Sequence, residues 1–128
     1  MKNKIPALTK KEEAVMQIFW KLEKAFVREI RDHLPDPKPH ANTVSTLVRR
    51  IEEKGYLAHE DFGATYRYYP IISKETYTRQ YLGPKIADVF GNSYKNVVAF
   101  FAEDEKISKE ELQEIIDLIE GKKGAKDD

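Results

Sequence analysis

Few folds accommodate the segment Ala41–Gly55, ANTVSTLVRRIEEKG. Val44, Leu47, Val48 and Ile51 fall at i, i+3, i+4 and i+7, the apolar stripe of a helix laid on a core. At about 100° per residue, Asn42, Ser45, Thr46 and Arg49 point the opposite way, with Thr43 and Arg50 on the shoulders. A solvated helix face is ordinarily filled with long charged side chains. Here short hydrogen-bonding groups come first and a pair of arginines follows. Short donors and acceptors approach base edges, and guanidinium groups grip phosphates or guanine. The segment predicts the recognition helix of a helix-turn-helix, with Asn42, Thr43, Ser45, Thr46, Arg49 and Arg50 facing DNA. A plain surface helix satisfies the same stripe, so the flanking sequence has to decide.

Upstream, Thr9-Lys10-Lys11-Glu12 is a capping box that opens a helix with Val15, Ile18, Phe19 and Leu22 on one face. A second helix is expected from about Phe26 to His33, with Phe26, Val27, Ile30 and Leu34 apolar. The prolines of LPDPKP at 34–39 end it, and Gly55 ends the recognition helix as its C′ residue. Downstream the period changes to that of strands. YLAHEDF and TYRYYPII flank Gly63-Ala64 and read as a hairpin. Three helices followed by a hairpin make a winged helix, whose wing lies along the DNA backbone. Tyr66, Tyr68 and Tyr69 read as cross-strand packing groups rather than base-stacking ones. His59, Asp61, Thr65 and Arg67 are expected at the surface, with Arg67 the wing residue assigned to DNA.

From Ser73 the pattern is helical again. Ser73 caps a segment with Tyr77 and Tyr81 on one face and a kink expected at Gly83-Pro84. Tyr94, Val97, Val98 and Phe101 repeat the helical stripe, and a second capping box, Ser108 to Glu111, precedes Leu112, Ile115, Ile116 and Ile119. GKKGAKDD reads as a polar, frayed tail. Three short helices cannot easily cover that much Ile, Val and Phe surface alone, whereas two copies can cover it for each other. The alternative is an extension folded back on the winged helix. The expected fold is mainly α with a small β-hairpin: a winged helix-turn-helix over residues 1–73, then a helical dimerisation domain with a polar tail over residues 74–128.

Composition limits the chemistry. The chain has 128 residues and no cysteine, which excludes disulfides and thiolate metal sites and suits a cytoplasmic protein. No apolar run approaches the ~18 residues of a membrane span, and MKNKIPALTK does not read as a signal peptide, so no membrane insertion is expected. The formal net charge of zero hides a division: residues 1–72 hold 13 Lys and Arg against 10 Asp and Glu, residues 73–128 hold 9 against 12. The basic half contains the candidate recognition helix. GxSxG, P-loop and dinucleotide-turn patterns are absent, and His33, His40 and His59 fall in three separate elements. The runs Glu103-Asp104-Glu105 and Glu110-Glu111 read as helix-end charges. No enzyme activity, cofactor or metal is expected.

LTKKEEAVMQIFW, then HANTVSTLVRRIEEKGYLAHE and TYRYYP, then the acidic C-terminal helices, resemble the penicillinase-repressor family of bacterial regulators over roughly residues 7–120. The resemblance implies a homodimer that represses promoters of resistance or metal-homeostasis genes on a double-stranded operator. Its dimer core would comprise Tyr94, Val97, Val98, Phe101, Leu112, Ile115, Ile116 and Ile119. It also implies induction by a membrane sensor protease, which in the β-lactam-responsive branch cuts an Asn-Phe bond. That bond falls here between Phe100 and Phe101, with Phe in place of Asn. Copper sensing through C-terminal cysteine pairs is excluded by the absence of cysteine. A winged helix also serves as a protein-protein interaction module, the other class this architecture allows. The polar face of residues 42–50 favours DNA.

Overall fold

The computed structural model describes residues 5–127, with side chains from 5 to 121. Met1–Lys4 and Asp128 lie outside the described residues. In chain order the elements are α1 (Lys10–Leu22), β1 (Ala25–Phe26), α2 (Val27–Asp32), α3 (Ala41–Glu53), β2 (Leu57–Asp61), β3 (Tyr66–Pro70), α4 (Lys74–Phe90), α5 (Tyr94–Glu103) and α6 (Lys109–Asp127). The chain divides between Tyr81 and Leu82 into two compact units.

In the N-terminal unit, α1, α2 and α3 pack on one another and on a three-stranded antiparallel sheet of order β1-β3-β2. The core is Val15, Met16 and Phe19 of α1, Ile30 of α2, Val44, Val48 and Ile51 of α3, and Ala25, Leu57 and Tyr68 of the sheet. Both ends of α1 and α3 are chemically specified. Thr9 Oγ1 accepts from the Glu12 amide while the Glu12 carboxylate accepts from the Thr9 amide, so two orphan N–H groups are satisfied. At the far end of α3, Gly55 adopts φ +91, and the Tyr56 amide reaches back to the Ile51 carbonyl.

The hairpin closes as its sequence requires. The Phe62 amide donates to the Thr65 carbonyl around Gly63-Ala64, and Gly63 takes φ +86. The sheet has a third strand, however. Ala25 and Phe26 pair with Tyr68 and Arg67, so the segment before α2 is extended. Two residues carry no readable period; β3 selects them as partners. Tyr68 is buried, as packing residues are, while Tyr66 stays exposed.

Tyr77 at the start of α4 belongs to this unit. Its ring packs on Trp20 and Tyr56, and its hydroxyl donates to Glu13. The dividing point between the units therefore lies beyond residue 73. Tyr77 and Tyr81 stack with centroids 5.9 Å apart. Ser73 caps α4 by accepting from the Thr76 amide, and the helix continues through Gly83-Pro84 to Phe90.

In the C-terminal unit, α5 is capped by Ser93, and the Ser108–Glu111 box opens α6. No residue of α5 is buried. Tyr94, Val98, Phe101, Ile115, Ile116 and Ile119 are exposed, as are Val89, Phe100 and Leu118, while Val97 and Leu112 are half-buried. The polar tail expected from residue 121 is helical to Asp127.

Candidate nucleic-acid interface

The site begins with how α3 is held. Val44, Val48 and Ile51 are fully buried on one side, which fixes the rotation of the helix about its axis. Asn42, Thr43, Arg49 and Arg50 are therefore exposed, and Ser45 and Thr46 are half-buried. His40 is the N-cap: its Nδ1 accepts from the Asn42 amide at 3.1 Å. The His40 carbonyl accepts from the Thr43 and Val44 amides. His40 thus holds the first turn of α3.

The polar side chains are partly committed. Thr46 Oγ1 donates to the Asn42 carbonyl at 2.9 Å and accepts from the Arg49 guanidinium at 3.5 Å, leaving its methyl free. Arg49 thus lies along the helix beside the Asn42–Thr46 row, a fork of donors next to an apolar methyl. This combination suits a purine edge next to a thymine methyl.

The wing is tied to the far end of α3. His59 on β2 donates through Nδ1 to the Glu52 carboxylate, and its ring stacks on Tyr66 with centroids 4.1 Å apart. Tyr68 lies on the same face, where burial and then the Glu52 carboxylate push its phenol up. Arg67 does not join the row on α3. Side chains alternate across a strand, and Arg67 is the neighbour of Tyr68, so it projects from the other face of the sheet. There its guanidinium lies over the Phe26 ring.

Two further features escaped the sequence reading. Glu12 is 2 % exposed and ion-paired with Lys54 at 2.6 Å, joining the start of α1 to the end of α3. The Tyr56 hydroxyl donates to the Pro6 carbonyl and Lys54 to that of Ala7, so the segment before α1 is strapped to the same corner. Among the described residues no group of His, Cys, Asp and Glu is arranged to hold a metal, and no helix is long and apolar enough to cross a membrane.

The chain is similar to the penicillinase repressor of Bacillus licheniformis, at 26% identity over 125 residues, covering 97% of this chain and 98% of that one. It is 24% identical over 123 residues to the methicillin resistance regulatory protein MecI of Staphylococcus aureus, covering 95% of this chain and all of the relative. MecI of Mammaliicoccus sciuri is 23% identical over the same length. The profile of the penicillinase repressor family matches residues 8–121, a span that takes in the capped α1, the polar row of α3, the wing and the exposed helices behind it. The chain belongs to the penicillinase repressor family.

Proposed function

We propose that this chain represses transcription as a homodimer, each protomer placing α3 in a major groove of a pseudo-palindromic operator. The observation that carries the reading is the face of α3, where Asn42, Thr43, Arg49 and Arg50 stand exposed on a helix whose opposite side is fully buried. A helix used to dock a protein would turn apolar anchors outward there. Thr43, Ser45, Thr46 and Arg49 reach base edges in this scheme, and Asn42 and Arg50 hold the backbone. The names of the relatives point to genes of β-lactam resistance as the regulated set. Bacterial DNA lies in the cytoplasm, where such a protein works.

The roles of the two arginines separate by experiment. A bidentate base contact discriminates by about 1–3 kcal/mol, whereas a phosphate contact strengthens binding to every sequence alike. Arg49→Ala should relax the preference for duplexes selected from a random pool. Arg50→Ala should weaken selected and random duplexes together and lower the salt slope by about 1.8, one phosphate contact being lost from each protomer. Fluorescence anisotropy reads both effects. Parent-like behaviour of both variants would remove α3 from the interface.

Dimerisation is supported by the exposed apolar residues of α5 and α6, among them Tyr94, Val98, Phe101, Ile115, Ile116 and Ile119. A two-fold axis places half-sites about 10 bp apart or a multiple of that. Release by a membrane sensor protease completes the scheme. Phe100 and Phe101 are exposed in the single chain, and the bond between them lies near the end of α5. A cut there severs α6, with Leu112, Ile115, Ile116 and Ile119, from the rest of the dimer face. Mass spectrometry of the protein from induced cells should find fragments ending at Phe100 and starting at Phe101. An intact chain released from its promoter would point to a ligand instead.

A further inference from the structure

Phe26 occupies a position that the function described so far leaves unused. It pairs with Arg67 on β3, and its amide donates to the Glu29 carboxylate, so it caps α2 while belonging to the sheet. Its ring is shared by two cations: the Arg28 guanidinium carbon lies 5.1 Å from the centroid and that of Arg67 lies 5.9 Å from it. Phe62, at the wing turn and 54% exposed, packs its edge against the same ring at 5.6 Å. One aromatic side chain thus joins the start of α2 to the tip of the wing.

The charge at this point is unbalanced. Among the described residues neither Arg28 nor Arg67 is in an ion pair, and Arg67 Nε is buried with no acceptor. The nearby acids are engaged elsewhere. Glu29 holds the Phe26 amide, and Glu60, opposite Arg67 across the hairpin, lies 4.0 Å from Lys24. The two guanidinium carbons can be no farther apart than their two distances to the ring laid end to end. Like charges gathered on one platform repel, and an arriving anion relieves that repulsion. The attraction of both guanidinium groups to one ring also limits where they can move, which preorganises them for oxyanions.

In helix-turn-helix proteins the helix preceding the recognition helix crosses the DNA backbone, and a wing lies along it. Arg28 sits on the first of these elements and Arg67 on the second. We propose that Arg28 and Arg67, seated on Phe26, form a phosphate clamp that grips the DNA backbone beside the groove entered by α3. Arg28 is then a further DNA-contacting residue, and Phe26 and Phe62 are positioning residues. The clamp rests on the reading that the chain binds DNA.

The test uses the full chain and a random-sequence duplex of about 30 bp, long enough for two half-sites, titrated against salt by fluorescence anisotropy. Arg28→Ala, a change at an exposed position, removes one phosphate contact from each protomer of the dimer, so it should lower the slope of log affinity against log salt by about 1.8, and so should Arg67→Ala. Phe26→Leu keeps both charges and a comparable apolar volume; it should weaken binding several-fold while the thermal transition is retained. Arg28→Lys should restore the slope but not the full affinity, because an ammonium restores charge without the planar fork. An unchanged slope in Arg28→Ala overturns the clamp. If Arg49→Ala in the same series relaxes preference for selected duplexes while Arg28→Ala leaves the slope untouched, the clamp alone fails. A parent chain that binds neither duplex overturns both the clamp and the reading beneath it.

Discussion

Replacing Lys54 with methionine is expected to destabilise the N-terminal unit by about 3 kcal/mol, the lower end of the range for stripping a buried charge of its partner. Glu12 is almost fully buried, and its Oε1 accepts from both Lys54 Nζ and the Thr9 amide. The lysine keeps about a quarter of its side chain in solvent, so water partly replaces it and the upper end of the range is not reached. Urea unfolding followed by the single tryptophan, Trp20, reports on this unit, because its indole donates to the Ile72 carbonyl inside it. The double variant Lys54→Met/Glu12→Gln should recover most of the loss, since no charge is then left buried. A single-variant loss below about 1 kcal/mol would mean the pair contributes no more than a surface ion pair.

The same pair sets a pH dependence with a definite sign. Burial raises the Glu12 carboxyl, but the hydrogen bonds from Lys54 and Thr9 outweigh it and hold the group below its ordinary value of 4.5. A group depressed in the folded state contributes stability that is complete above the unfolded value. That contribution is lost as pH falls below about 4.5 toward the folded value. In Lys54→Met the main opposing hydrogen bond is gone and burial dominates, so the penalty should be largest near neutral pH and shrink on acidification. Opposite pH trends in parent and variant are therefore expected from the same unfolding assay.

Disrupting the exposed face of α5 and α6 should affect DNA binding more than any single change on α3. Phe101→Asp with Ile116→Asp is expected to give a monomer at micromolar concentration by sedimentation equilibrium. Operator affinity should fall by about 10²–10⁴-fold, because the second half-site is no longer engaged intramolecularly. Both side chains are exposed in the single chain, so helix content should survive, which circular dichroism checks. A variant that still sediments as a dimer would place the interface elsewhere.

The sequence alone determined the elements whose cause is local. The α3 stripe, the Thr9 and Ser108 boxes, the Gly55 stop and the Gly63-Ala64 turn each depend on residues within one or two turns of one another, so periodicity and short-range hydrogen bonding reveal them. The same holds for the polar row from Asn42 to Arg50, because burying one side of a helix dictates the other. Tertiary structure decided what distant segments do on meeting. It made Glu12 a buried partner of Lys54, 42 positions away, rather than a cap alone. It recruited Ala25 and Phe26 as a third strand, and so brought the Phe26 ring between Arg67 and Arg28. It brought Tyr77 into the N-terminal unit through a bond to Glu13, 64 positions away. None of these has a local signature, because each partner is selected by burial and by the need to satisfy polar groups once the chain has closed on itself.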